Sequence, residues 1–590
     1  MKKKLPLWIA VALMATACGV PHQQSKNNAE LPANSVAKDD VEEEVEITSN
    51  EAAYMEPASN LSMVKRAMVP PPPPPNSVAE DYVEEEVEIT ANEAAYMEPA
   101  SDFNMFKGAV VPSSRQQRNR NNETYQEIKE NPFVAVAQQP VTTFSADVDR
   151  ASYANLRRMI GYGQLPPKDA VRIEEMLNYF DYDYPAPEEG SNSPLRVSPE
   201  LAPAPWNPDH LLLRIGLQAK KIDLTKAPSS NIVFLIDVSG SMDRDNKLPL
   251  LQASFKLLLG QLRPDDKVAI VTYANGTNVA LPSTRVKDKE KIIKVLDNLY
   301  ASGGTSGGAG IQLAYEQARK SFIKDGNNRI ILATDGDFNI GINNTKELEK
   351  FIEKQRESGI YMSVLGFGMG NYRDDMAETI ADKGNGNYAY IDDITEAKKV
   401  LVNEFGGTLF AVAKDVKLQL EFNPKYVKEY KLIGYENRML ANEDFTDDKK
   451  DAGEIGAGHT VTALYELVPS DGNVTQNLRY QSQELNEKGR GNELGFLKIR
   501  YKDPKVKDAK SVEITEPLVF HKKELKDTSA DYRFAASVAE FGILLRDNSN
   551  KAKATYDQVV QLAQGAIGKD EEGYRKEFIR LVKSAKLLKQ

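Results

Sequence analysis

The chain has 590 residues, 75 Lys and Arg against 86 Asp and Glu for a net charge of −11, four His and a single Cys. At the usual ~150 residues per domain this length provides for three or four folded units. One Cys rules out an intramolecular disulfide and any multi-thiolate zinc or iron–sulfur site. His22, His210, His459 and His521 are scattered and none sits in an HExxH pattern, and the acidic balance argues against a nucleic-acid binder.

Lys2, Lys3 and Lys4 precede an apolar stretch from Leu5 to Ala15. Such a stretch is too short for a ~30 Å hydrocarbon core and suits a signal peptide over residues 1–17. It ends Met14-Ala15-Thr16-Ala17-Cys18. One reading is ordinary cleavage after Ala15-x-Ala17, leaving Cys18 a free thiol. The other is that the segment resembles a bacterial lipobox, departing from it at Ala15 where Leu is usual, so that Cys18 becomes a lipidated N-terminus. The position of the sole Cys favours the second. The expectation is a protein lipid-anchored in a bacterial envelope, at the outer membrane, with the face it occupies left open.

Residues 18–122 read as a disordered acidic tether. Residues 34–70 recur at 76–112 with 28 of 37 positions identical, each copy carrying VEEEVEIT and NEAAYMEPAS, with Pro70 to Pro75 between them. Clustered glutamates repel one another and consecutive prolines favour an extended spacer. Two copies without a burial face do not make a solenoid; a duplicated recognition motif is the sharper alternative. Residues 18–113 hold 18 acids and 5 bases, which leaves residues 114–590 with a net charge of only −1.

Folded sequence starts at about 123. In FSADVDRASYANLRRM, Tyr153, Leu156 and Ile160 have helical spacing, and Ile173, Met176, Leu177 and Phe180 predict a second, amphipathic helix. Asp147 and Asp149 suggest calcium ligands, although two carboxylates without further spacing suit capping and turn roles better.

From about 230 the pattern alternates. Apolar runs at Ile232–Ile236, Val268–Tyr273, Ile330–Ala333 and Tyr361–Phe367 are separated by helical stretches at Leu248–Leu262, Lys289–Leu299, Gln312–Phe322, Glu347–Glu357 and Glu396–Phe405. This predicts an α/β fold with a doubly wound, mostly parallel sheet, whose ligands bind outside the carboxyl ends of the strands. Asp237-Val-Ser239-Gly-Ser241 follows the first strand, Thr334-Asp335-Gly336 follows a later one, and Gly303-Gly304-Thr305 lies between. Their side chains offer carboxylate and hydroxyl oxygens only, which is hard-cation chemistry suited to Mg²⁺ or Mn²⁺. Extended positions i and i+4 are ~13 Å apart, so Asp237, Ser239 and Ser241 meet one ion only if the chain curls, and Gly240 permits that.

With DVSGS, GGT and TDG in place, the region 230–406 resembles the von Willebrand factor type A (VWA) family and its metal-ion-dependent adhesion site. The resemblance implies Asp237, Ser239, Ser241, Thr305 and Asp335 as the metal-site residues. It implies a protein partner that supplies an Asp or Glu to the open metal position, and no catalysis. TFSADVDRASYANLRRM, NYFDYDYP, LATDGDFNIG and VLGFGMGNY extend the likeness to the bacterial YfbK-type VWA proteins over about 140–590. Asp243, Asp245 and Asp337 lie beside the motif and suit loop or rim roles. An envelope assembly factor working with membrane or AAA+ partners is an alternative function. A serine hydrolase is a remote one, because Gly304-Thr305-Ser306-Gly307-Gly308 matches GxSxG. That elbow needs a preceding strand, however, and IIKVLDNLY is helical in period. Gly366-Phe-Gly368-Met-Gly370 lacks dinucleotide-loop spacing and reads as a turn.

The flanks, an N-terminal helical and β region at 123–229 and a β-rich region at 407–525, contain LLLRIGL, VKLQLEF, LGFLKIRY and VEITEPLVF. Strands from both sides are expected to pair in one β-sandwich with the VWA domain inserted. A C-terminal helical region occupies 526–590, with Phe534 to Leu545, Val559 to Ile567 and Tyr574 to Leu588 as its helices.

Overall fold

A computed structural model of the chain describes residues 122–146, 149–336, 345–471, 491–506, 509–547 and 551–590. The signal peptide, Cys18 and the duplicated acidic segment lie outside the described residues, as do Asp147 and Asp337. Among the described residues no helix is long and apolar enough to cross a membrane.

The α/β domain holds a six-stranded sheet. From one edge its strands are Tyr388–Ile391, Ile360–Phe367, Asn327–Thr334, Ser230–Asp237, Lys267–Tyr273 and Thr277–Arg285. All pairings are parallel except the last. Ser230–Asp237 and Asn327–Thr334 are buried at every position, which explains their unbroken apolar runs. The antiparallel edge strand Thr277–Arg285 has no such run because it is largely exposed and carries Pro282. Helix Leu248–Gln261 covers one face, with Phe255 stacked on Phe234 at 4.1 Å. Helix Gly307–Lys320 covers the other with Ile311, Ala314, Tyr315 and Ala318. The stretch expected as one helix over Glu396–Phe405 is three pieces: Ile394–Lys398, a π turn at Lys399–Asn403, and Phe405–Leu409.

The flanking segments interleave in two further sheets. Asn207–Ala219, which precedes the α/β domain, pairs antiparallel with Thr460–Pro469, which follows it. Val141–Ser145 likewise pairs with Ala411–Phe422. Leu213, Ile215 and Leu217 of one sheet share a core with Leu418, Leu420, Leu497 and Ile499 of the other, making a sandwich. The two ends of the inserted domain meet at one turn. There the Ala457 N–H donates to the Phe410 carbonyl at 2.8 Å, and the Gly458 N–H to the Lys220 carbonyl at 3.0 Å.

Helices Ala530–Leu545, Tyr556–Gln564 and Tyr574–Lys589 pack with the N-terminal helix Ala151–Gly161 around Tyr153, Tyr179, Phe180, Trp206, Phe534 and Phe578. The second N-terminal helix corrects an expectation. Ile173–Asn178 is buried all round rather than amphipathic. Its acidic positions face a buried ion cluster: Glu175 pairs with Arg172, which also reaches Asp374 at 2.6 Å. Asp149 belongs to the same region, accepting from the Tyr388 N–H at 2.8 Å and pairing with Arg438 at 3.1 Å. It serves as a buried structural acceptor.

Candidate metal centre

Asp237 is the last residue of its strand, at the carboxyl edge of the sheet. Beyond it the chain turns into a short 3₁₀ turn, Gly240–Met242, in which the Met242 N–H donates to the Ser239 carbonyl at 2.9 Å. This curl brings the Ser239 and Ser241 hydroxyl oxygens to 3.0 Å from each other. The Gly240 N–H donates to the Gly303 carbonyl at 2.9 Å, and the Ser302 N–H to the Val238 carbonyl at 2.8 Å. Those bonds lace the loop carrying half-buried Thr305 to the loop carrying the serines. Asn275 clamps the same loop by accepting from the Gly304 N–H, beside Gly303 at φ 79°.

Asp237 and Asp335 are both fully buried. The Asp237 Oδ1 accepts from the Ser239 N–H at 2.9 Å, and its Oδ2 accepts from the Tyr273 hydroxyl at 3.1 Å and the Thr334 hydroxyl at 3.2 Å. All these donors are neutral. Burial, with the Asp335 carboxylate nearby, pushes the Asp237 carboxyl up to about 6. Asp335 differs, since the Lys247 ammonium lies 2.6 Å from its Oδ2. The following Gly336 has φ 84°, and a Cβ there would stand 2.5 Å from the Arg373 amide nitrogen.

The structure thus gathers Asp237, Ser239, Ser241 and Asp335 at one sheet edge and ties the Thr305 loop to them. Among the described residues no group of three or more His, Cys, Asp or Glu could hold a metal; this centre has two carboxylates and relies on hydroxyls. The donor set suits a hard cation, because oxygen is its only ligand type and the Asp237 carboxylate has only neutral hydrogen-bond donors around it. Asp243 and Asp245 are exposed on the rim.

Three residues around the centre escape a motif reading: Tyr273, Asn275 and Lys247. Tyr273 sits against Gly310, where a Cβ would stand 3.1 Å from the tyrosine Cβ. Lys247 had a legible signal. It occupies the N-cap of helix Leu248–Gln261, where the macrodipole disfavours a cation, so another partner had to justify it.

Family models match three parts of the chain. They are described as von Willebrand factor type A domain at residues 231–403, as the C-terminal part of uncharacterized protein YfbK at 407–588, and as von Willebrand factor at 119–214. Uncharacterized protein YfbK of Escherichia coli (strain K12) is 48% identical over 468 residues, spanning 78% of this chain and 80% of its own length. Calcium-activated chloride channel regulator 1 of Bos taurus is 25% identical over 170 residues, 28% of this chain and 18% of its own. A solved structure, von Willebrand factor type A from Catenulispora acidiphila, overlaps 67% of this chain and 90% of its own at 16% identity and a TM-score of 0.38. With an inserted α/β domain matched as VWA and a 48% identical relative covered over most of its length, the chain belongs to the YfbK family of VWA-domain proteins.

Proposed function

We propose that the chain is a non-enzymatic, lipid-anchored binding protein of the bacterial envelope that holds a partner's Asp or Glu through a Mg²⁺ or Mn²⁺ ion. Asp237, Ser239, Ser241, Thr305 and Asp335 would hold the ion, and Cys18 would carry the lipid. When bound, the ion supplies an open, electrophilic coordination position for an incoming carboxylate. The chain's own residues do the rest. Tyr273 and Thr334 orient the Asp237 carboxylate, the 3₁₀ turn aims both serine hydroxyls together, and Asn275 holds the Thr305 loop in place.

The observation that carries this reading is a fully buried Asp237 whose hydrogen-bond donors are all neutral, in a cluster of hydroxyls beside a second carboxylate. The hydrolase alternative loses its local support, since helix Lys289–Asp297 and a loop, not a strand, precede Ser306. The test is Mn²⁺ titration by calorimetry together with crosslinking pull-down from membranes, comparing the wild type with Asp237→Ala. Metal binding and metal-dependent capture should both be lost in the variant while its circular dichroism is unchanged. Equal capture in EDTA, or by the variant, sinks the mechanism. The anchor is tested separately: Cys18→Ser should move the protein from the membrane to the soluble fraction.

A further inference from the structure

Lys247 is 3% exposed, and its ammonium donates to the Asp335 carboxylate at 2.6 Å. Its position is over-determined. The Lys247 N–H donates to the Arg244 carbonyl at 2.9 Å, while the Lys247 carbonyl accepts from the Leu251 N–H at 2.8 Å. The side chain runs across Gly368, where a Cβ would stand 2.3 Å from the Lys247 Cε. Gly368 has φ 77° and its carbonyl accepts from the Tyr390 hydroxyl, so the channel for the lysine is part of the fold. This gives the Gly366-Phe-Gly368-Met-Gly370 run a role that its spacing alone does not reveal.

The charges in the centre then count differently from the bare motif. Two buried carboxylates balance a dication and leave little attraction for a third carboxylate. With Lys247 built in, the set carries one negative charge when empty and one positive charge when a dication is bound. Asp243, Arg244 and Asp245 are exposed, where solvent screens them, whereas Lys247 acts in a poorly screened interior.

We propose that Lys247 is a fixed internal charge that makes the ion-loaded centre net positive, so that the loaded centre attracts a partner's carboxylate while the empty one, negative with or without the lysine, repels it. Resting on the proposed metal-dependent function, this makes partner capture conditional on the ion at the expense of ion affinity. Lys247 is a specificity-determining residue and not a metal ligand.

The decisive measurement separates ion affinity from carboxylate affinity in the full chain. Mn²⁺ binding is read by calorimetry, and acetate binding to the Mn²⁺-loaded protein by the loss of water proton relaxation enhancement. Lys247→Met should bind Mn²⁺ on the order of tenfold more tightly and acetate on the order of tenfold more weakly than the wild type. Lys247→Arg, which keeps the charge, should not show this opposed pair of changes. Should the Met variant fail to fold, Lys247→Gln, which can still donate to Asp335, is expected to show the same split. If neutralising Lys247 weakens both affinities, or moves neither, its role is packing alone and the proposal is overturned. If the wild type binds no Mn²⁺, the metal reading itself falls and takes this inference with it.

Discussion

Two buried titratable side chains illustrate how single residues set the response of this fold to pH. Glu540 is fully buried in helix Ala530–Leu545 and accepts one hydrogen bond, from the Thr555 N–H at 3.2 Å. Burial pushes its carboxyl up to about 8. The unfolded chain releases that proton near pH 4.5, so the native state binds more protons between those values and stability falls as pH rises from about 4.5 to 8. Glu540→Gln keeps the acceptor and removes the charge. Its melting temperature should match the wild type near pH 5 and exceed it at pH 8, by an amount equivalent to a few kcal/mol on the order of the linkage. His459 acts with the opposite sign. Burial, followed by the charge of Arg150, pushes its imidazole down to about 3, and neither ring nitrogen has a hydrogen-bond partner. Since the unfolded chain takes up a proton near pH 6.5, stability falls as pH drops from there towards 3. His459→Leu should flatten that acid limb in thermal melts between pH 7 and 4; an unchanged slope would refute the assignment.

At the scale of elements, close approach decides where propensity would mislead. Helix Ala530–Leu545 crosses helix Ile173–Asn178 at Gly542, where a Cβ would stand 2.7 Å from the Ile173 Cγ1 and 3.4 Å from the Met176 sulfur. Helix propensity alone favours Gly542→Ala by ~1 kcal/mol. Overpacking a rigid core costs about 1–3 kcal/mol, so the variant should unfold at lower denaturant concentration, with an unchanged m-value. Other elements interlock through buried ions. Arg157 donates to Glu396 at 2.7 Å and to Glu577 at 3.1 Å and also pairs with Asp392, joining the N-terminal helix to the VWA domain and to the last helix. Arg157→Ala removes the cation facing Asp392 and Glu396, the latter staying buried with the Tyr179 hydroxyl as a neutral donor at 2.8 Å. Breaking such a buried pair costs about 3–5 kcal/mol. Chemical denaturation should show that loss, and a change under 1 kcal/mol would mean solvent reaches the cluster.

The whole molecule is organised by an insertion. Thr460–Pro469 lies between Val427–Ile433 and Asn207–Ala219 in its sheet, so the strands before the VWA domain have no complete sheet without those after it. A chain ending at residue 406 should therefore expose residues 122–225 to limited proteolysis while a fragment near 230–406 resists. Protection of both segments would show that the early strands do not depend on the late ones. The same interleaving explains what a linear reading finds and what it misses. Four of the five parallel strands were legible because burial on both faces leaves an uninterrupted apolar run; Tyr388–Ile391, equally buried but only four residues long, was too short to stand out. The hairpin strand Thr277–Arg285 was not, because an exposed edge carries no such signature. The DVSGS and TDG segments were legible as chemistry at strand ends, while GGT, expected at a strand end too, lies in a loop after helix Lys289–Asp297. Tyr273 looked like an ordinary strand residue until the sheet placed it beside Asp237.

Sequence alone determined the class of the central domain, the insertion into paired β-rich flanks and the oxygen-only character of the candidate centre, because periodicity and residue type are local properties that a chain states directly. Only the tertiary structure decided that the helix at Ile173–Asn178 is buried all round, that Asp149 serves Arg438 and the Tyr388 amide, and that Lys247 answers Asp335. The last two facts rest on pairings between residues 88 to 289 positions apart, and the electrostatics of a buried group depend on which distant charge folding brings to it.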